Sequence, residues 1–197
     1  ATQAETATSG TIPGSKIKWE LNEHNWLMIS GSGEAPVFTS ADDQPWADYR
    51  EQITEVWYDD MSTLTISDLA YWFEGCTALT TAELPLAPVI GNHAFYGCDN
   101  LTEVLLENGS KLTSDDLGVD ASKIRTYWNE GDLTWTLTAD GTLTISGSGA
   151  MKGYSWYSGS PAAQKKDKVK KVVIQEGVTS IGMSAFNDCD SLTSITI

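Results

Sequence analysis

The sequence predicts a β-rich fold of the α/β class, a solenoid of short strands and short helical or 3₁₀ turns with β-hairpins in front of the repeats. Two nested periods support this prediction. In the longer period, Ile29–Gly33 returns 116 residues later as Ile145–Gly149. In the shorter period, Phe95 and Cys98 each follow a residue of the same type by 22 residues. A period of this length is typical of proteins whose units stack along one axis.

Each short repeat combines a turn with a strand. Ala94–Cys98 has too few residues for an ordinary packed helix, so it predicts one helical or 3₁₀ turn with Phe95 directed inward. Val104 and Leu106 are spaced two residues apart, which is the period of a strand with one buried face. Because one repeat cannot enclose a core, we expect the copies to stack and their strands to form a parallel sheet.

Three copies of the short repeat keep Phe, Cys and Leu at fixed spacing. The last of them, within Gly177–Ile197, resembles the repeat of the BspA-like leucine-rich repeat family of bacterial surface proteins almost residue for residue. The resemblance covers roughly residues 53–106 and 169–197, and Asp140–Met151 resembles a module that accompanies such repeats. It implies a right-handed leucine-rich-repeat solenoid on a secreted or cell-surface protein that takes part in adhesion or protein binding.

A hairpin is predicted in front of each block of repeats. Apolar and polar residues alternate on both sides of Asp140–Gly141, a dipeptide that suits turns with positive φ. The equivalent turn in the first half falls at His24–Asn25. We therefore expect a flexible leader (1–16), a unit 1 of hairpin, repeats and connector (17–130), and a unit 2 of hairpin and one truncated repeat (131–197).

Charge and hydropathy exclude several functional classes. The net charge is −15, and residues 1–130 hold 21 acids and 6 bases, whereas residues 131–197 hold 6 of each. Nucleic acid is not an expected partner, because neutralising phosphates requires a basic surface. The apolar runs are too short to cross a bilayer. The Thr-, Ala- and Ser-rich start, Ala1–Gly10, favours an extracellular protein.

Cysteine and histidine positions argue against a metal site, a cofactor or catalysis. Cys76, Cys98 and Cys189 share one repeat position, which favours small buried thiols, although Cys76 and Cys98 on adjacent turns could also form a disulfide. Neither histidine has metal-ligand spacing with them. The chain has no zinc motif, EF-hand loop or nucleophile elbow, so we expect neither a cofactor nor an enzyme.

Ligand binding is expected on the strand residues that point away from the core. We call this set in unit 1 the outward lane, and aromatic and acidic residues in it would suit a basic protein partner. Its predicted members are Glu55, Trp57, Asp59, Thr81, Glu83, Glu103, Leu105 and Glu107. The alternative is that Trp57 is covered by the segment Pro45–Trp46 or by the neighbouring unit.

The expected function is an extracellular scaffold that binds a protein of the host, the matrix or another cell. A carbohydrate-binding surface protein is the second hypothesis, favoured if Trp156 and Tyr157 form an exposed pair of rings. A structural spacer without its own ligand is the third. Oligomerisation through the open edge of the last strand is a further expectation, because an unpaired edge invites pairing.

Overall fold

The structure is a computed structural model that describes residues 8–59, 63–86, 89–155, 157 and 159–197. Strands predominate in these ranges, and the helices are short. The chain divides into two compact units, Ala1–Lys123 and Ile124–Ile197. In each of them an antiparallel set of strands leads into a parallel set, and this order positions the surfaces considered below.

Unit 1 contains seven strands among its described residues. Six follow one another in the sheet order β1-β2-β3-β4-β6-β7, and β5 pairs with the end of β3. The strands are β1 (Thr8–Thr11), β2 (Lys16–Leu21), β3 (Trp26–Glu34), β4 (Glu55–Tyr58), β5 (Leu64–Thr65), β6 (Thr81–Leu84) and β7 (Glu103–Glu107). The helical elements among the described residues of this unit are the 3₁₀ turns Ala41–Asp43, Ala47–Tyr49 and Ala121–Lys123 and the helix α1 (Ser114–Leu117).

Residues 8–16 were expected in the flexible leader, but the structure gives them regular conformation. Strand β1 pairs antiparallel with β2, and Gly10 lies opposite Trp19. A Cβ atom at Gly10 would lie 2.8 Å from Nε1 of Trp19, so the missing side chain lets β1 pass close to that ring. The threonines at both ends of β1 are β-branched and suit a strand. Residues 1–7 lie outside the described residues.

The predicted hairpin of unit 1 is confirmed, and it continues into the repeats. Asn25 forms the turn between β2 and β3 with φ 62°, a left-handed conformation that Asn tolerates well. Strand β3 then pairs parallel with β4, β4 with β6, and β6 with β7. The predicted parallel sheet of repeat strands is therefore present, and the hairpin forms its first edge.

The turns between the strands carry the repeated Phe positions. Phe73 is fully buried, and Phe95 of the next repeat stacks on it with ring centroids 5.3 Å apart and an interplanar angle of 23°. Phe95 and Phe186 are only half-buried. Of these three phenylalanines, Phe73 alone has the fully buried side chain that the repeat pattern predicted. Stacking of equivalent rings joins one repeat to the next.

Unit 2 repeats the arrangement of a hairpin followed by parallel strands. The sheet order is β8-β9-β10-β12-β14, in which β8, β9 and β10 are antiparallel and β10, β12 and β14 are parallel; β11 pairs with β13. The strands are β8 (Ile124–Glu130), β9 (Leu133–Thr138), β10 (Thr142–Gly147), β11 (Gly149–Ala150), β12 (Lys171–Ile174), β13 (Val178–Ser180) and β14 (Ser194–Thr196). The helix α2 covers Pro161–Gln164.

Two details of unit 2 bear on the sequence predictions. The turn at Asp140–Gly141 is confirmed, with Gly141 at φ 89°. Residues 124–130, expected as the end of a connector, instead form β8, which pairs with β9 so that Trp128 lies opposite Trp135. Both rings are buried in the core of unit 2, because β8 buries the side chain that faces this hairpin.

The three cysteines are thiols, as the repeat position predicted, and all are buried. Sγ of Cys98 donates a hydrogen bond to the carbonyl oxygen of Phe73 at 3.0 Å. Burial raises the pKa of Cys76 far above its usual range, raises that of Cys98 to about 12, and also raises that of Cys189.

These thiols are expected to resist alkylation in the folded protein. The thiolate is the reactive form, and a raised pKa together with burial keeps its population very low near pH 8. Folded protein treated with iodoacetamide at pH 8 should therefore show no modified cysteine by mass spectrometry, whereas protein in urea should take up three labels. Rapid labelling of Cys76 in the folded state would contradict its burial.

Candidate functional site

Strand register brings most of the outward lane together. Along β4, β6 and β7 the lane residues are half-buried and alternate with buried residues such as Val56, Ala82 and Val104. Thr81 stands between Glu55 on one neighbouring strand and Glu103 on the other. The lane residues of these strands therefore share one face of the sheet, as the two-residue period predicted.

Other lane members lie at the strand ends or in the second row. Glu83 is in register with Leu105, one step along the same face. Asp59 follows β4 and is exposed, with its backbone N–H donating to the carbonyl of Ile29 at 3.0 Å. Glu107 is half-buried at the end of β7. The lane thus combines carboxylates with single aliphatic and aromatic side chains.

Two aromatic partners of the lane were missed by the sequence analysis. Trp26 of β3 is in register with Glu55, and Met28 is in register with Trp57. The ring centroids of Trp26 and Trp57 are 6.5 Å apart, and His24 lies 5.3 Å from Trp26. The signal was present in the two-residue period of β3, but it required knowing that the hairpin pairs directly with the first repeat strand.

Carboxylates fix the aromatic part of this face. Glu55 Oε2 accepts a hydrogen bond from Trp57 Nε1 at 2.7 Å, which holds the indole beside its own strand. Glu83 Oε2 accepts from the backbone N–H of Tyr58 at 3.2 Å. Each carboxylate therefore combines a structural hydrogen bond with negative charge on the face. Such positioning lowers the conformational freedom that a binding residue loses on association.

Trp57 is not covered in the way the alternative hypothesis required. Trp46 is fully buried and its ring contacts the rings of Trp19, Phe38 and Trp72, which belong to the core of unit 1. Its Nε1 donates to the carbonyl of Trp72 at 3.2 Å. The indole of Trp46 thus lies in the core, whereas Trp57 stays half-exposed in the outward lane.

The corresponding face of unit 2 has different chemistry. Lys171 of β12 is exposed and in register with Ser194 of β14, and Val173 is in register with Thr196. Threonines occupy the equivalent positions of β9 and β10. This face has no described tryptophan among those strand residues, so the aromatic and acidic combination is a property of unit 1.

Tyr157 lies outside the strand faces. It is fully exposed and lines a cavity of about 270 Å³ together with polar residues that include Gln164, Asn187 and Asp188. Trp156, its expected partner, lies outside the described residues. A second cavity, of about 580 Å³, is lined by Leu86, Val89 and other residues near α1 of unit 1.

Within the described ranges, no group of three or more His, Cys, Asp and Glu side chains is arranged to hold a metal ion. No helix in the part of the chain that the structure describes has the length and apolarity needed to cross a membrane.

Two stretches of the chain match a known family of repeats. The family model described as "BspA type Leucine rich repeat region (6 copies)" matches residues 62–117 and 159–197. These two stretches are BspA-type leucine-rich repeats. Turn and strand alternate in both of them, and they supply the strands β6, β7, β12 and β14. The strand-rich architecture with its mostly parallel repeat strands fits a leucine-rich-repeat type of fold.

Two solved structures are similar to this chain. A leucine-rich repeat protein from Eubacterium ventriosum is 18% identical with a TM-score of 0.38, over 96% of this chain and 72% of the other. A leucine rich cell surface protein from Faecalibacterium prausnitzii is 14% identical with a TM-score of 0.26, over 100% of this chain and 78% of the other. No curated protein sequence matches the chain significantly.

Proposed function

We propose that this protein is an extracellular scaffold on a bacterial cell surface, and that the outward lane of unit 1 binds a protein partner with a basic surface. The observation that carries the proposal is the in-register face on which Trp26 and Trp57 lie beside Glu55. In this proposal the repeats stack as coils of a right-handed solenoid, so that the lane forms a continuous strip. The partner belongs to a host, a matrix or another cell.

The chemistry of the lane supports a protein ligand. Tryptophan is among the residues that contribute most binding energy in interfaces, and it does so where neighbouring side chains exclude water. The half-buried positions of Trp26 and Trp57 provide that setting. Acidic residues around them would attract lysine and arginine, because complementary charge accelerates encounter and suppresses unsuitable partners. Residues 1–130 hold 21 acids and 6 bases, and this negative charge adds to the attraction for a basic partner.

The proposal predicts a loss of binding in Trp57→Ala. Loss of a central tryptophan contact should cost about 2 kcal/mol or more, which raises Kd at least about 25-fold. The test measures binding of the purified chain to immobilised fibronectin, laminin and collagen by surface plasmon resonance, at 50 and 300 mM NaCl. Binding to one of them should weaken at the higher salt concentration, because exposed charges are screened.

Tyr157→Ala is the matched control, because it removes an exposed ring from unit 2 and leaves the lane intact. It should bind as the unchanged protein does, and both variants should keep the circular dichroism spectrum. Binding that survives Trp57→Ala would place the protein site elsewhere. No binding of the unchanged protein to any of the three matrix proteins would favour a structural spacer.

A further inference from the structure

The turns of unit 1 carry a second group of partly exposed aromatic side chains, separate from the outward lane. Tyr71 and His93 occupy equivalent positions 22 residues apart, and their ring centroids are 5.4 Å apart. Tyr96 stacks on His93 with centroids 4.9 Å apart and an interplanar angle of 26°. The ring of Tyr96 remains open to solvent, since this residue is 67% exposed. We call Tyr71, His93 and Tyr96 the turn-side aromatic row.

Hydrogen bonds and an ion pair between neighbouring repeats hold the row in place. The backbone N–H of Tyr71 donates to the carbonyl of Asn92 at 3.1 Å, and that of Gly75 donates to the carbonyl of Tyr96 at 2.9 Å. Nδ1 of His93 lies 3.3 Å from Oε2 of Glu74, whose side chain is mostly buried. The rings therefore form a preorganised surface, because both their backbone and the imidazole are fixed by neighbouring repeats.

The turns that carry Tyr71 and His93 share a left-handed backbone conformation at these two positions. Tyr71 and His93 both have φ 62°, in the left-handed region that glycine occupies without steric cost. A bulky residue there costs about 1–3 kcal/mol. Two successive repeats place a ring at a position whose backbone favours glycine. Ser184, at the equivalent position of the later repeat, has φ 58°, so this conformation belongs to the repeat turn, and unit 1 differs in placing rings on it.

We infer that the turn-side aromatic row binds an uncharged glycan, with the C–H face of a pyranose ring stacked on Tyr96. The negative face of an aromatic ring attracts the weakly positive hydrogens of such a face. The hydroxyl groups of Tyr71 and Tyr96 and the Nε2 atom of His93 provide hydrogen-bonding groups at the rims of the rings for sugar hydroxyls. This activity goes beyond the proposed protein binding and uses different residues.

Charge decides between uncharged and anionic glycans. Oε2 of Glu74 lies 3.3 Å from Nδ1 of His93, and residues 1–130 hold 21 acids against 6 bases. An anionic polysaccharide would meet like charge here, which disfavours its approach. An uncharged polysaccharide experiences no such repulsion and gains from stacking and hydrogen bonding alone, so its binding should change little with salt.

The test is native affinity electrophoresis of the full chain in gels that contain dextran, yeast mannan, xyloglucan or galactomannan, with alginate as the anionic comparison. At least one uncharged polysaccharide should retard the protein. Tyr96→Ala should weaken that retardation at least about tenfold, because the stacking platform is removed. Tyr96→Phe should retain most of it, since the ring remains. Tyr157→Ala removes the exposed ring of the alternative carbohydrate site in unit 2 and should behave as the unchanged protein, whereas loss of retardation in this variant would move glycan binding to unit 2 and overturn the inference.

A second variant separates binding from folding. Asn tolerates the left-handed conformation, so His93→Asn removes the imidazole without adding backbone strain. It should keep the melting temperature within a few degrees and still lose most of the retardation. The inference is overturned if no uncharged polysaccharide retards the protein, if alginate alone does, or if Tyr96→Ala is retarded normally. The inference assigns a different ligand to this row than to the outward lane, so it is also overturned if Tyr96→Ala abolishes binding to a matrix protein. Trp57→Ala tests the outward lane separately.

Discussion

Replacing Trp46 with alanine is expected to lower the free energy of unfolding of unit 1 by about 3–5 kcal/mol. The indole is fully buried among Trp19, Phe38 and Trp72, and its removal leaves a cavity that these rigid rings cannot fill. The variant also removes the hydrogen bond to the carbonyl of Trp72. Urea unfolding followed by circular dichroism would measure the change. It is large relative to the 5–15 kcal/mol typical of a domain.

Trp57→Ala is the control for this prediction. It removes a side chain of the same size from a half-exposed position, so we expect it to cost less than about 2 kcal/mol. The difference between the two variants should therefore exceed about 1 kcal/mol. Equal losses would show that the outward lane contributes as much to stability as the core does, and they would weaken the assignment of Trp57 to binding.

Gly147→Ala is expected to destabilise unit 2 by about 3–5 kcal/mol. Gly147 has φ 104°, and a Cβ atom there would overlap the carbonyl oxygen of Asp132, which directly precedes the neighbouring strand β9. The backbone conformation contributes about 1–2 kcal/mol of the cost, and displacement of the strand contributes about as much again or more. Gly31 of unit 1 has the same φ, and a Cβ atom there would overlap the carbonyl oxygen of Lys16.

Gly149→Ala and Gly33→Ala are the matched controls. Both glycines have positive φ, at 123° and 95°, but a Cβ atom at either position would meet nothing within 4 Å. They should therefore cost only the backbone term, about 1–2 kcal/mol. Urea titrations of the three variants would separate steric overlap from backbone strain. The account of the hairpin would be wrong if Gly147→Ala and Gly149→Ala were equally stable.

The sequence predicted the elements whose residues repeat. The 22-residue period located the turn around Phe95 and the strand that contains Val104 and Leu106, because these positions recur at fixed spacing in every copy. The dipeptide Asp140–Gly141 located a hairpin turn because its left-handed backbone conformation is one that few residues adopt readily. A steric requirement that recurs in several copies selects the same residue types each time, so the sequence shows it as a pattern.

The elements that escaped prediction have no repeated counterpart. Strand β1 is short and polar, and what stabilises it is pairing with β2 and close passage over Trp19, which only the folded chain reveals. Strand β8 carries Tyr127 and Trp128 without the alternating pattern of its neighbours, so its pairing with β9 was not visible. In both cases a tertiary partner overrides weak local preference.

In the candidate site too, the residues at repeated positions were predicted and the others were not. The two-residue period placed Glu55, Trp57 and Glu83 on one face, and the structure brings them together with the other lane members. The contribution of Trp26 depends on the parallel pairing of β3 with β4, which joins two motifs that had been considered separately. The turn-side aromatic row depends on φ at Tyr71 and His93, and the sequence gives no direct sign of that conformation.

The parallel junction between hairpin and repeats also bears on the order in which the chain folds. In the hairpin, Leu21 is paired with Leu27, only six residues away, so its loop closes at low entropic cost. The parallel pairs are far more distant, since Leu27 is paired with Val56 and Ala82 with Val104. During synthesis the hairpin of each unit precedes its repeats and can form first. The hairpin then provides a strand edge with which the first repeat strand can pair, and each later strand pairs with the one before it. Distant segments therefore add one at a time to a sheet that already exists, which avoids a slow search for their partners.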